Sequence, residues 1–347
     1  EKLESVRDEI GAPKSTPLLV ADASDKDALR DVAKDAKVIL TTVGPYQLYG
    51  NELTEICAET GADYVDLCGE PAWIRKVIDE QEDKAKASGA RIVISCGFDS
   101  IPFDLGVYYL QEKAKQKFGA PCKEVKGLVR KMKGTFSGGT AASFKATMSA
   151  AFSDPALVEL LKNPFALTPG FQGPKQPSGS KPKYDDAVGV WLAPFVMAPI
   201  NTKNVHRSNF LLGHPYGEDF AYSEMMITGK GEQGEAAANA VANDTSMLGD
   251  DAPKPGEGPS KEERENGFYD VLFLGTTEAG DAIKVGVTGD RDPGYGSTSK
   301  MITEAALCLI KDKTDTAGGV WSAAAALGSP LIERLRTNAG LTFEVEL

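Results

Sequence analysis

A chain of 347 residues is longer than one core usually covers, so two domains are expected. Hydrophobic residues at 41% and charged residues at 25% suit a soluble globular protein, and the net charge of −12 argues against a nucleic-acid binder, which needs a basic footprint. No apolar run approaches the roughly 18 residues that cross a bilayer and no signal-like segment opens the chain, so no transmembrane segment and a cytoplasmic location are expected.

Residues 1–12 read as a helix stopped by Gly11, and Pro17 to Ala21 as a short strand ending at Asp22. A helix from Asp25 to Ala33 follows, capped by Ser24 or Asp22. Lys37 to Glu70 organises what comes next. A β-branched run ends in Thr41-Thr42-Val43-Gly44-Pro45, a helix runs to Thr60, and Tyr64-Val65 leads to Asp66-Leu67-Cys68-Gly69-Glu70, the pattern of a βαβ unit in a buried parallel sheet. Pro71 opens a helix that stops at Gly89. Arg91 to Ser95 is another buried strand, with Cys96-Gly97-Phe98-Asp99-Ser100 at its tip, and a helix runs from Phe103 to Phe118.

Beyond Gly119 the strands alternate. Glu124–Lys133, Phe220–Thr228, Tyr269–Thr276 and Ile283–Thr288 predict a mostly antiparallel sheet covered by helices over Gly139–Ala151 and Ser297–Lys311. The Pro- and Gly-rich stretches 164–199 and 250–261 predict loops, and Leu341 to Leu347 a last strand. The five cysteines are dispersed, mostly in apolar runs and without metal-ligand spacing, so buried free thiols, a reducing compartment and no metal site are expected.

Ligands of open parallel sheets sit beyond the carboxyl ends of the strands, which singles out the three tips. Thr42, Val43, Gly44 and Pro45 offer small groups to a ribose or phosphate, and Asp22 an acceptor for an adenine amino group. Glu70 and Asp66 form a carboxylate pair suited to acid–base work or to helix capping, and Asp99 with Ser100 carries the same two readings. Phe136-Ser137-Gly138-Gly139-Thr140 is either an anion nest or a tight turn. Tyr295, ahead of a helix, is a candidate donor, whereas His206, Arg207 and His214 receive no role.

The trio Val43-Gly44-Pro45-Tyr46, Tyr64-Val65-Asp66-Leu67-Cys68-Gly69-Glu70-Pro71 and Gly97-Phe98-Asp99-Ser100-Ile101-Pro102 resembles the saccharopine dehydrogenase-like oxidoreductases, and more narrowly their trans-acting enoyl reductase branch. Gly294-Tyr295 and Gly318-Gly319-Val320-Trp321 extend the resemblance over nearly the whole chain. It implies an α/β protein with a Rossmann-like NAD(P)-binding domain over residues 1–120, an α+β substrate or dimerisation domain over 121–315, and a segment 316–347 packing back on the first. The glycine-rich first turn and first strands of such a domain would lie ahead of Glu1. The implied chemistry is hydride transfer from NAD(P)H, with NADPH favoured, to the C=C of an enoyl or the C=N of an imine in a small-molecule or acyl substrate. Gly44-Pro45 and Gly97-Phe98-Asp99 would flank the nicotinamide, the acid candidates are Asp99, Glu70 and Tyr295, and a homodimer is implied. The rival reading, from another class, is a non-catalytic scaffold that retains the fold.

Overall fold

The computed structural model describes residues 1–135, 137–246, 249, 253–254 and 257–347. After α1 (Lys2–Glu9) and α2 (Lys26–Ala33) come β1 (Val38–Leu40), α3 (Tyr46–Tyr49), α4 (Asn51–Thr60), β2 (Asp63–Val65), α5 (Pro71–Ser88), β3 (Arg91–Val93) and α6 (Ile101–Phe118). The three strands pair in parallel, with Ile39 beside Tyr64 and Tyr64 beside Ile92. A parallel sheet needs both faces covered, and here Ile56, Ile74, Val77, Ile92 and Ile94 supply the apolar surface on the side of α4 and α5. Proline at the first position opens α5, and Gly89, at φ 85°, closes it in the left-handed region that a Cβ disfavours.

The next segment holds β4 (Cys122–Lys133), α7 (Gly138–Ser153), α8 (Pro155–Lys162), β5 (Lys183–Asp185), β6 (Val190–Pro194), α9 (Ala198–Leu211), β7 (Ala221–Gly229) and α10 (Gly231–Ala242). Then follow α11 (Lys261–Asn266), β8 (Phe268–Thr277), β9 (Ala282–Gly289), a π-turn over Pro293–Ser297, α12 (Thr298–Lys311), β10 (Gly319–Trp321), α13 (Ala323–Arg334) and β11 (Leu341–Glu346). The mixed sheet runs β11-β9-β8-β4-β7-β6-β5, and the parallel sheet gains β10 at its far edge, beside β3. The larger core lies between the mixed sheet and α6, α12 and α13, where Phe103, Phe273, Val285, Leu309 and Leu331 meet. Gly106 lets α6 close on the sheet, since a Cβ there would lie 2.4 Å from Phe273 Cε2.

Four expectations are corrected. Pro17 to Ala21 forms no strand; Leu19 and Val20 are 62% and 91% exposed, and an extended segment becomes a strand only when a neighbour pairs its backbone. The cap of α2 is Asp25, whose carboxylate accepts from Asp27 N and Ala28 N, while Asp22 closes its own turn with Ser24. The loop expected over 164–199 contains β5 and β6, which become strands because β7 offers an edge to β6. The mixed sheet is mostly antiparallel, as expected, although β4 and β7 run parallel within it. Finally, α7 buries only Gly138 and Ala141 and does not cover that sheet, and α12 also packs against β1 and β2. Part of the loop expected over 250–261, and Phe136, lie outside the described residues.

Candidate active site

The site is built where β1, β2 and β3 end, and buried carboxylates join the three tips. Asp66, wholly buried, accepts from Cys68 N at 3.0 Å and Ser95 N at 2.8 Å through one oxygen and from the Tyr64 hydroxyl at 3.0 Å through the other. It therefore ties the end of β2 to the end of β3. Burial lifts its carboxyl to about 6, a rise that these three donors restrain. Tyr46 does the same for the first tip: its hydroxyl donates to Thr41 O at 3.2 Å and accepts from Leu67 N at 3.1 Å.

Glu70 does not cap the helix that Pro71 opens. Its carboxylate turns back to the first tip, accepting from Tyr46 N at 2.8 Å and Gln47 N at 2.9 Å, and so caps α3 directly after Gly44-Pro45. Ser143 of α7 donates to the same carboxylate at 2.7 Å. The first N–H groups of α3 are thus occupied, and what the first tip leaves to a ligand is the exposed pair Thr42 and Val43 beside Gly44.

At the third tip Phe98 N donates to Thr298 Oγ1 at 2.9 Å, and a Cβ on Gly97 would lie 2.8 Å from Leu67. Asp99 is half-buried and, among the described residues, its carboxyl has no hydrogen-bond or ion-pair partner. Loss of water alone pushes it to about 7. A Cβ on Gly69 would stand 3.6 Å from Asp99 Oδ2, so the second and third tips share one space. Ser100, expected as a cap, forms no side-chain bond to the start of α6; its hydroxyl accepts from Asn204 Nδ2 at 2.9 Å.

Gly44, Glu70, Gly97 and Asp99 are therefore joined through short contacts. Tyr295 belongs to a turn held beside them, because Thr298 Oγ1 also donates to Pro293 O at 2.7 Å, but its own hydroxyl donates to Glu257 O at 3.0 Å. Asp22 remains exposed and bonded only within its turn. Ser137 accepts from Thr140 N and serves as the cap of α7. His206 is a buried ring among Phe165 and Phe220, pushed down to about 3 by burial and by neighbouring Lys203.

Three parts of this arrangement escaped the sequence reading. Ser143 has no local signal. Glu224 has one, being a carboxylate at an inward position of an alternating strand; it is buried, accepts from the Tyr222 hydroxyl at 2.8 Å and Asn201 Nδ2 at 2.9 Å, and stays protonated well above the usual range because of burial. No GxGxxG is expected anywhere in the chain, yet Gly229-Lys230-Gly231-Glu232-Gln233-Gly234 has that spacing between a strand and a helix. Its last glycine lets α10 approach β7, since a Cβ would lie 2.4 Å from Gly229 O, but α10 packs on β5, β6 and β7 and not on the parallel sheet.

The yeast saccharopine dehydrogenase (L-Glu forming) shares this fold of a Rossmann-like parallel sheet with a mixed sheet. The two superpose with a TM-score of 0.54 at 10% identity, over 99% of this chain and 92% of that one. No family model matches the chain. A Mycobacterium tuberculosis protein assigned provisionally as a trans-acting enoyl reductase is 39% identical over 96% of this chain and 86% of its own length. The trans-acting enoyl reductases of Mycobacterium ulcerans and Mycobacterium bovis are 36% and 35% identical, each over 96% of this chain and 87% of theirs. The chain belongs to the trans-acting enoyl reductase family, a group of oxidoreductases.

Proposed function

We propose that this protein is an NAD(P)-dependent reductase, with NADPH favoured, acting on the C=C of an enoyl substrate or the C=N of an imine. The observation that carries the reading is the Asp99 carboxyl, without a partner among the described residues and poised near neutrality where the second and third strand tips meet. Thr42, Val43, Gly44 and Pro45 on one side, and Gly97, Phe98 and Asp99 on the other, would hold the nicotinamide end, and Asp22 the adenosine end. These residues fit such a group: Thr42 and Val43 are exposed, Gly44 carries no side chain, and Asn201 Oδ1 and Asn204 Oδ1 near the third tip have no donor among the described residues. Bound there, a reduced nicotinamide supplies hydride.

The protein's own part is then alignment and proton supply. As hydride reaches one end of the double bond, the bond's electron pair moves to the other end, where Asp99 delivers its proton. Asp99 is left as a carboxylate and regains a proton from water at the cleft. Glu70 is less suited to this task, because it is fully engaged in holding α3 and α7. A cytoplasmic location and pairing into homodimers belong to the same proposal.

Titrating the protein with NADPH and with NADH while following nicotinamide fluorescence tests the reading. Saturable binding with the tighter constant for NADPH is expected. Absence of binding of either nucleotide at millimolar concentration would sink it in favour of a scaffold.

A further inference from the structure

The helix α7 is held at the parallel sheet by side-chain hydrogen bonds and not by a core. Of its 16 residues only Gly138 and Ala141 are buried, and it packs chiefly on α8. Two polar contacts fasten it: Ser143 Oγ donates to Glu70 Oε1 at 2.7 Å, and Thr147 Oγ1 accepts from Gln47 Nε2 at 3.2 Å.

The chain enters α7 beside the third tip. A Cβ on Gly134 would lie 2.6 Å from Pro293 Cδ and one on Gly294 2.9 Å from Thr135 O, while Thr298 joins the turn at Pro293 to Phe98 N. Ser143, farther along, is bonded at the first tip. From Ser137 to Ser143 a helix advances about 9 Å, which matches the roughly 9–10 Å between the first and third of three neighbouring strands. The helix therefore crosses the carboxyl ends of β1, β2 and β3.

It also closes what it crosses. An atom in the place of a Gly44 Cβ would stand 3.8 Å from Ser143 Oγ, so with a carbon–carbon bond of about 1.5 Å no more than about 5.3 Å separates that hydroxyl from Gly44 Cα. A flat ring between the two needs about 7 Å, van der Waals contact on each face. A nicotinamide can lie against this side of Gly44 only with α7 displaced.

We propose that α7 is an autoinhibitory gate over the nicotinamide end of the cleft, latched by Ser143 on Glu70 and by Thr147 on Gln47, and that a pyridine nucleotide binds the form in which it has lifted. The inference rests on the reductase reading and adds to it the step that limits nucleotide entry. An element with few buried residues and a polar latch belongs to the low end of local stability, where lids are found. Lifting it leaves the first tip intact, because Glu70 keeps Tyr46 N and Gln47 N.

Stopped-flow NADPH binding followed by nicotinamide fluorescence, and hydrogen exchange of the nucleotide-free protein, test the gate in the wild type, Ser143→Ala and Thr147→Val. Both side chains are half-buried, and circular dichroism checks that the variants fold. Exchange along α7 should rise about tenfold in Ser143→Ala, the equivalent of ~1.4 kcal/mol for one lost hydrogen bond, while α6 stays unchanged. A nucleotide that binds only the lifted form gains affinity in proportion to that form's population, so NADPH should bind Ser143→Ala up to about tenfold more tightly, through faster association at an unchanged dissociation rate. Thr147→Val should act in the same direction. Saturable binding with equal association rates in the wild type and Ser143→Ala would sink the gate alone, as would unchanged exchange along α7. Weaker binding by Ser143→Ala would make Ser143 a nucleotide ligand and overturn the gate too. Absence of NADPH binding to all three proteins would sink the reductase reading and the gate with it.

Discussion

Asp99 and Glu70 both stand at the strand tips and do opposite things, and the difference lies in their partners. Three donors surround the Glu70 carboxylate, whereas that of Asp99 has none among the described residues. Asp99→Asn should therefore fold and bind NADPH, yet lose about 10²–10⁴ in turnover, the usual worth of a general acid. In the wild type, turnover should fall as pH rises through about 7, where Asp99 loses its proton, and the variant's residual rate should lack that limb. Stability moves the same way. Asp66, Asp99 and Asp104 are raised to about 6, 7 and 7 in the folded protein, while an unfolded chain ionises them near 4. The folded state then binds more protons between about pH 4 and 7, so these groups contribute stability that is lost as pH rises through that window. Urea midpoints for Asp99→Asn should accordingly decline less than wild type between pH 5 and 8. Glu70→Ala leaves the buried Tyr46 N–H without its acceptor and should lower stability by about 2 kcal/mol, read as a reduced urea midpoint with unchanged slope. Hydrogen exchange along α7 should rise in that variant, since Ser143 loses its anchor.

Among the elements, α6 carries the closest approach in the molecule's centre. Gly106→Ala would place a methyl group 2.4 Å from Phe273 Cε2, and Phe273 is fully buried beneath Phe103, so neither neighbour can yield freely. Unfolding by denaturant should show a loss of about 2 kcal/mol, the ordinary penalty for overpacking. A fall below 0.5 kcal/mol would mean that α6 and β8 separate easily, which the shared core argues against. Both α6 and α7 were legible as helices, but where α7 packs was not. The pattern over Ile101–Phe118 reflects a helix clasped on several sides, with ten of its residues buried. The run over Gly138–Ser153 reads as equally helical, but nothing local announces that it leaves the sheet and is fastened beside the first tip through Ser143 and Glu70.

Across the whole molecule, the cysteines report how completely the two cores close. All five are buried free thiols, and burial pushes Cys57 and Cys308 up to about 12 and Cys122 to about 11. The thiolate is the reactive form, so a disulfide reagent at pH 8 should modify none of the five in the native protein and all five after unfolding. Rapid modification of one thiol in the native state would mark a local opening that the packing does not predict. The two sheets are also stitched together late in the chain. β10 joins the parallel sheet beside β3, and β11 joins the mixed sheet beside β9, so residues 319–346 complete both.

Period and punctuation were enough for much of this. Gly89 and Gly119 stop their helices where a left-handed residue is needed, and short β-branched runs separated by helices can bury both faces only in a parallel sheet. The motif trio marked the strand tips in the same way, because small residues there are a local requirement. What only the tertiary structure decided is which partner each polar side chain meets. Glu70, Asp99 and Ser100 each stand just ahead of a helix and look alike as caps in sequence. Yet Glu70 caps a different helix, Ser100 bonds Asn204 and Asp99 bonds nothing among the described residues. A hydrogen bond forms between groups that packing brings within 3 Å, and here residues 73 and 104 positions apart are what it brings.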